Sequence, residues 1–192
     1  MERGSVDTMR PGIAIVGIYV QSTRDSKSEE VLRFDTSQRL VANSVRVSLV
    51  ELLSIDGVPL KSMHGNQSVR IRIHYRCEGV LVSPSFTVTF SALNGVEVLR
   101  LSTLPISGFE LPDLSGQGYV DCVIEHLPFT GGIYVLGVGV GRPNVEYLVF
   151  DRNIGWIEIP PYDAYGSGFG VDRRCGVLTV PHHWELKNDS EA

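Results

Sequence analysis

Apolar and polar residues alternate with period two through most of this chain, in short runs cut by turn signals. The runs fall at residues 44–53, 69–77, 85–93, 96–101, 119–126, 133–140, 145–151 and 154–159. Strict alternation puts one side chain in the core and the next outside it, the signature of a half-buried strand. Many such strands and little helical period predict an all-β fold, an immunoglobulin-like antiparallel β-sandwich. The stretch Leu127-Pro-Phe-Thr-Gly-Gly-Ile-Tyr134 reads as the corner of that sandwich. There Tyr134 bonds back across the preceding turn, and Leu136, Val138 and Val140 follow it into the core. Between two alternating runs, Asn94-Gly95 predicts a two-residue type I′ hairpin, whose two central positions both need positive φ.

The pattern also divides the chain. Residues 1–31 form an irregular segment and linker, 32–186 the β-sandwich domain and 187–192 a polar tail. Within the domain, residues 160–174 are rich in Gly and aromatics without a period and read as a long exposed loop. A last strand at 176–181 then leads into His182-His183-Trp184. The apolar run at 13–20 is far shorter than the roughly 20 residues that cross a bilayer and lacks a signal-peptide pattern, so no membrane span is expected.

With 192 residues, 43% of them apolar, one good core can be buried. A net charge of −5 gives no basic field and argues against nucleic acid as a partner. Three cysteines at no metal-like spacing argue against a disulfide framework and for a reducing cytoplasm. Cys77 and Cys122 share inward parity; they are either small core thiols or neighbours. No residue pattern supplies a nucleophile with its base, and adjacent His182 and His183 point to opposite sides of a strand, a poor metal chelate. An enzyme, a cofactor and a metal are therefore not expected.

Several pieces in order carry a resemblance: Arg33-Phe-Asp, Val45-Arg-Val, Val50-Glu-Leu-Leu, Asp56-Gly, Val69-Arg-Ile-Arg-Ile-His-Tyr75, Pro84-Ser-Phe-Thr-Val, the Gly132-Ile-Tyr134 corner and the closing Gly176-Val-Leu and His183-Trp184. The chain resembles the C-terminal carbohydrate-binding domain of the ATP-binding subunit of bacterial O-antigen polysaccharide ABC exporters, the Wzt type. The resemblance implies a non-catalytic domain that recognises a finished, lipid-linked glycan for export. It also implies partnership with a nucleotide-binding domain and a membrane subunit, a homodimer formed by exchange of a terminal strand, and a place at the cytoplasmic face of the inner membrane. One departure is clear. The chain has no Gly-x-x-x-x-Gly-Lys-Ser/Thr phosphate loop, since its Gly137-Val-Gly139-Val-Gly141 run lies inside a strand with no Lys after it.

Sorting the faces gives the candidate site. Phe86, Val88 and Phe90 point inward, which leaves Ser85, Thr87 and Thr89 outward beside Ile133, Val135, Gly137 and Gly139 of the corner strand. Hydroxyls on a flat floor, with Tyr147 and Trp156 as rings to stack on, match what a sugar needs. Ser and Thr are also ordinary strand residues, and the apolar part of this face equally suits a partner chain, so a dimerisation module or an accessory domain of a sugar-modifying enzyme stays open. Tyr162 and Tyr165 on the loop are further platforms, and Trp184 reads as an anchor that docks the tail. On the other sheet, Arg70, Arg72, His74 and Arg76 form a basic stripe. It either pairs with Tyr119, Asp121 and Glu125 across the strands or receives an acidic sugar.

Overall fold

The computed structural model describes residues 31–187. The apolar run at 13–20, the linker at 21–30 and the last five residues lie outside them. Eight strands follow in order: β1 (Arg33–Val41), β2 (Val45–Leu53), β3 (Val69–Leu81), β4 (Ser85–Ala92), β5 (Glu97–Ser102), β6 (Leu114–Ile124), β7 (Gly132–Arg142) and β8 (Glu146–Ile159). They form two four-stranded sheets, ordered β1-β2-β3-β6 and β5-β4-β7-β8. Every pairing within them is antiparallel. With β3 beside β6 in one sheet and β4 beside β7 in the other, the connections are those of an immunoglobulin-like sandwich.

The inward faces meet as the alternation predicts. Val47, Val50, Leu52, Ile71 and Ile73 of one sheet face Phe86, Val88, Phe90, Leu136, Val138 and Val140 of the other, all buried. Each contributes about 1.5–3 kcal/mol on leaving water. Tyr134 makes the predicted corner: it is fully buried, and its hydroxyl lies 3.0 Å from the Thr130 carbonyl and 3.2 Å from that of Val177. Its ring stacks on Phe129 at 4.4 Å between centroids.

The structure corrects several sequence expectations. No last strand forms at 176–181; a single bridge joins Leu178 to Phe129, and the corner holds this segment through the Thr130 and Thr179 amides. Trp184 is 90% exposed and docks no tail. At Asn94-Gly95 only Gly95 has positive φ, and Ala92 N–H bonds to Val96 C=O, so the hairpin closes over three residues instead of two. The runs at 145–151 and 154–159 are one strand, β8, bent by register shifts. β1 escapes the alternation because Thr36 sits fully buried, donating its hydroxyl to Val47 C=O at 2.9 Å, and the register slips between Asp35 and Leu40. Cys77 and Cys122 are not neighbours: their partners across the β3–β6 ladder are Gly116 and Ile71, six steps apart along β3, about 20 Å. Both thiols are free and raised by burial, Cys122 to about 11. No helix among the described residues is long and apolar enough to cross a membrane.

Candidate functional site

The outer face of β5-β4-β7-β8 is built on small residues at its centre. Ser85, Thr87 and Thr89 of β4 point away from the core yet are only 6%, 3% and 1% exposed, so the flat open hydroxyl floor expected from the sequence is not there. Its cover comes from the flanking strands. β7 presents Gly137, Gly139 and Gly141 beside those hydroxyls. The Thr89 hydroxyl fills the space above Gly137, and a Cβ on Gly139 would lie 2.5 Å from the Phe150 ring. Phe150 therefore lies over Gly139, a position only a residue without a side chain leaves open.

A bulge assembles the aromatic part. Gly141 pairs with Tyr147 and Gly139 with Phe150, so two β8 residues span the one step taken by Val140. The extra residue puts positions 147 and 150 on one face, where alternation alone would separate them. Their rings stack at 4.6 Å with 17° between planes. From the opposite edge Arg100 of β5 reaches across: its Nη1 donates to the Tyr147 hydroxyl at 2.9 Å, while Nε and Nη2 hold the Glu97 carboxylate at 2.7 and 2.8 Å. That fork holds the Glu97 carboxyl below its ordinary value. The Arg100 and Arg152 guanidinium carbons stand 5.8 and 5.7 Å from the Phe150 ring centre.

Beside this platform lies a cavity of about 360 Å³, lined by Ser85, Thr87, Arg100, Ser102 and Tyr147 together with the turn at Leu104–Ile106 and the β7–β8 hairpin. The Ser85 hydroxyl is used internally, donating to Leu104 C=O. Tyr147 is 48% exposed, and its ring is free on one side to meet a ligand. Of the residues picked from sequence, Ser85, Thr87 and Tyr147 thus share one cavity, and Thr89 lies buried beneath the same face. Trp156 points outward as expected, 61% exposed, but pairs with Val135, six β7 steps from Gly141 and about 20 Å away. Sequence reasoning missed Arg100, Phe150, Arg152 and Glu97. The available signal was the alternate-glycine run facing a strand with two aromatics three positions apart.

The basic stripe of the other sheet is paired. Asp121 accepts from Arg72 Nε at 2.8 Å, Arg72 Nη2 at 2.9 Å and Arg70 Nη1 at 2.8 Å; His74 Nε2 lies 2.7 Å from Glu51. Arg72 also covers the Tyr119 ring at 3.8 Å. Ion pairs and a cation–π contact occupy most of this face, which disfavours it as an acidic-sugar site. Glu125 stays out of that network, and β2 supplies the partner for His74 instead. Among the described residues no group of three or more His, Cys, Asp or Glu is placed to hold a metal ion.

Comparison with known proteins accords with this architecture. Among solved structures, the crystal structure of the C-terminal domain of Wzt matches with a TM-score of 0.62, covering 86% of this chain and 93% of that one at 16% identity, a likeness of fold. No curated protein matches the sequence. The model of one protein family, described as the Wzt C-terminal domain, matches residues 36–159, well over half of the chain. The chain belongs to the Wzt C-terminal domain family.

Proposed function

We propose that this domain is a non-catalytic reader of a bacterial O-antigen polysaccharide, selecting a lipid-linked glycan for export by an ABC transporter. The observation that carries the reading is the Tyr147–Phe150 stack, held by Arg100 at the rim of an open cavity with the Thr87 hydroxyl in its wall. A sugar ring offers an apolar face to an aromatic plane and hydroxyls to groups that donate and accept, and this corner supplies both. Membership of the Wzt family supports the transporter setting, with a nucleotide-binding domain and a membrane subunit as partners at the cytoplasmic side of the inner membrane. In this reading residues 32–186 act as one unit.

The test is titration of the purified protein with the O-polysaccharide of its source strain, following tryptophan fluorescence, with an unrelated polymer as control. Saturable binding of the cognate polymer is expected, and Tyr147→Ala should weaken it at least tenfold, about 1.4 kcal/mol, without altering the circular dichroism spectrum. Equal affinity of Tyr147→Ala and parent would remove the site from this face. Absence of any binding by the folded chain would favour a second reading, a dimerisation module. That reading is favoured by Val180, Trp184 and Leu186, left 62%, 90% and 87% exposed by the described residues. The two readings are compatible if the reader is a homodimer.

A further inference from the structure

At the other end of the sandwich a larger cavity, about 630 Å³, opens among Asn66, His126, Tyr162, Tyr165, Thr179 and His182. It is built from three loops that meet at the start of β7. The Tyr162 ring seats on Gly65, where any side chain would collide with it, and Tyr162 bridges to Val171. Its hydroxyl lies 3.2 Å from Thr179 Oγ1. Tyr165 is set by the Asp163 carboxylate, which accepts from the amides of Tyr165, Ser167 and Gly168 at 3.2, 3.0 and 2.6 Å. Tyr165 then meets the His182 ring edge-on at 4.9 Å, and its hydroxyl accepts from Val180 N–H at 3.3 Å. The two tyrosines form walls of the cavity.

The cavity is lined by rings, hydroxyls, an amide and two imidazoles. Neither Asp, Glu, Lys nor Arg lines it. His182 Nδ1 lies 2.9 Å from Val180 C=O, so that nitrogen donates the hydrogen bond. The Asn66 carboxamide and the His126 imidazole make no hydrogen bond within the described residues, although both line the cavity. Rings on the walls, and an amide and an imidazole without a hydrogen-bond partner among the described residues, fit a ligand made of neutral rings rich in hydroxyls. No Lys or Arg lines the cavity to hold an anion, and an aliphatic chain would leave those polar groups unpaired.

We propose that this cavity is a second saccharide site, one that takes an uncharged sugar unit. The proposal rests on the glycan reading above. The two cavities lie at opposite ends of β7, with nine steps between Gly132 and Gly141, so about 30 Å separates them. One polymer reaching across that distance is held at two points, and attachment at one raises the effective concentration at the other. Trp156 lies along the same strand pair, opposite Val135 of β7.

The chain's five histidines give this end its own reporter, because none of them lines the Tyr147 cavity. The experiment follows their ring Cε1–H signals by ¹H–¹³C NMR, assigned through single His→Asn variants, as the O-polysaccharide of the source strain is added to the parent chain and to Tyr147→Ala. Saturable shifts at His126 and His182, with His74 on the far sheet unmoved, are the expected result. His126→Ala should then weaken binding at least fivefold, and the double variant with Tyr147→Ala should lose more than either alone. Unmoved His126 and His182 in a chain that binds through Tyr147 overturn the second site and leave the first reading intact. Shifts that persist while Tyr147→Ala has no effect keep this site and remove the other. A folded chain that binds no polymer overturns both.

Discussion

Tyr134 gathers most of the corner at the scale of a single residue. Its hydroxyl has the carbonyls of Thr130 and Val177 within reach, and burial raises its pKa, so it stays a neutral donor at any physiological pH. Tyr134→Phe keeps the stack on Phe129 but takes its donor from the buried Thr130 carbonyl, while Val177 C=O keeps the Thr130 amide. The expected loss is about 1–2 kcal/mol in urea unfolding, with the fold unchanged. A loss close to zero would mean that water replaces the hydroxyl. At this scale the sequence was readable for Tyr134, because the corner has a fixed frame from turn to strand. It was not readable for Thr36 or Thr89, which are polar by type and buried by position. Nothing local distinguishes them from solvent-facing threonines, because their burial comes from residues distant in the chain.

Among elements, the β3–β6 ladder concentrates charge. Asp121 is held below the ordinary 3.8 by the hydrogen bond from Arg72 and further by Arg70, against the opposing effect of burial. A carboxyl depressed in the folded state stabilises it above the unfolded pKa, and that contribution disappears as the pH falls through the folded value. Asp121→Asn should therefore cost about 1–2 kcal/mol near neutrality, discounted for partial exposure of the pairs. The gap to the parent should close as the pH is lowered through 3.8 and below, read by denaturation at stepped pH. A gap that persists in acid would assign the effect to packing. The immunoglobulin-like order expected from the sequence put β3 beside β6 and β4 beside β7, where the structure has them. Alternation missed breaks in the period, among them those at β1, the Asn94-Gly95 loop and the bent β8. A bulge depends on the partner strand, so a single strand's pattern does not report it.

For the whole molecule, the exposed apolar C-terminal segment is where assembly is best tested. Among the described residues Trp184 and Leu186 stay 90% and 87% exposed, and the Trp184 ring meets that of His182 edge-on at 5.9 Å. A chain ending at His183 should keep its circular dichroism spectrum and both cavities. If these residues join two copies, light scattering will find the parent dimeric and the shortened chain monomeric; equal masses would place any interface elsewhere. The sequence by itself determined the fold class, the corner and the inward face of most strands, because period-two alternation and turn chemistry are local and the core repeats them strand after strand. Tertiary structure alone decided the sites. It split Trp156 from Tyr147, buried the threonines beneath Phe150 and Arg100, and gathered Asn66, His126, Tyr162 and His182 from loops far apart in the chain. A cavity is the space left between elements once their registers, bulges and loops are set, and no one segment encodes it.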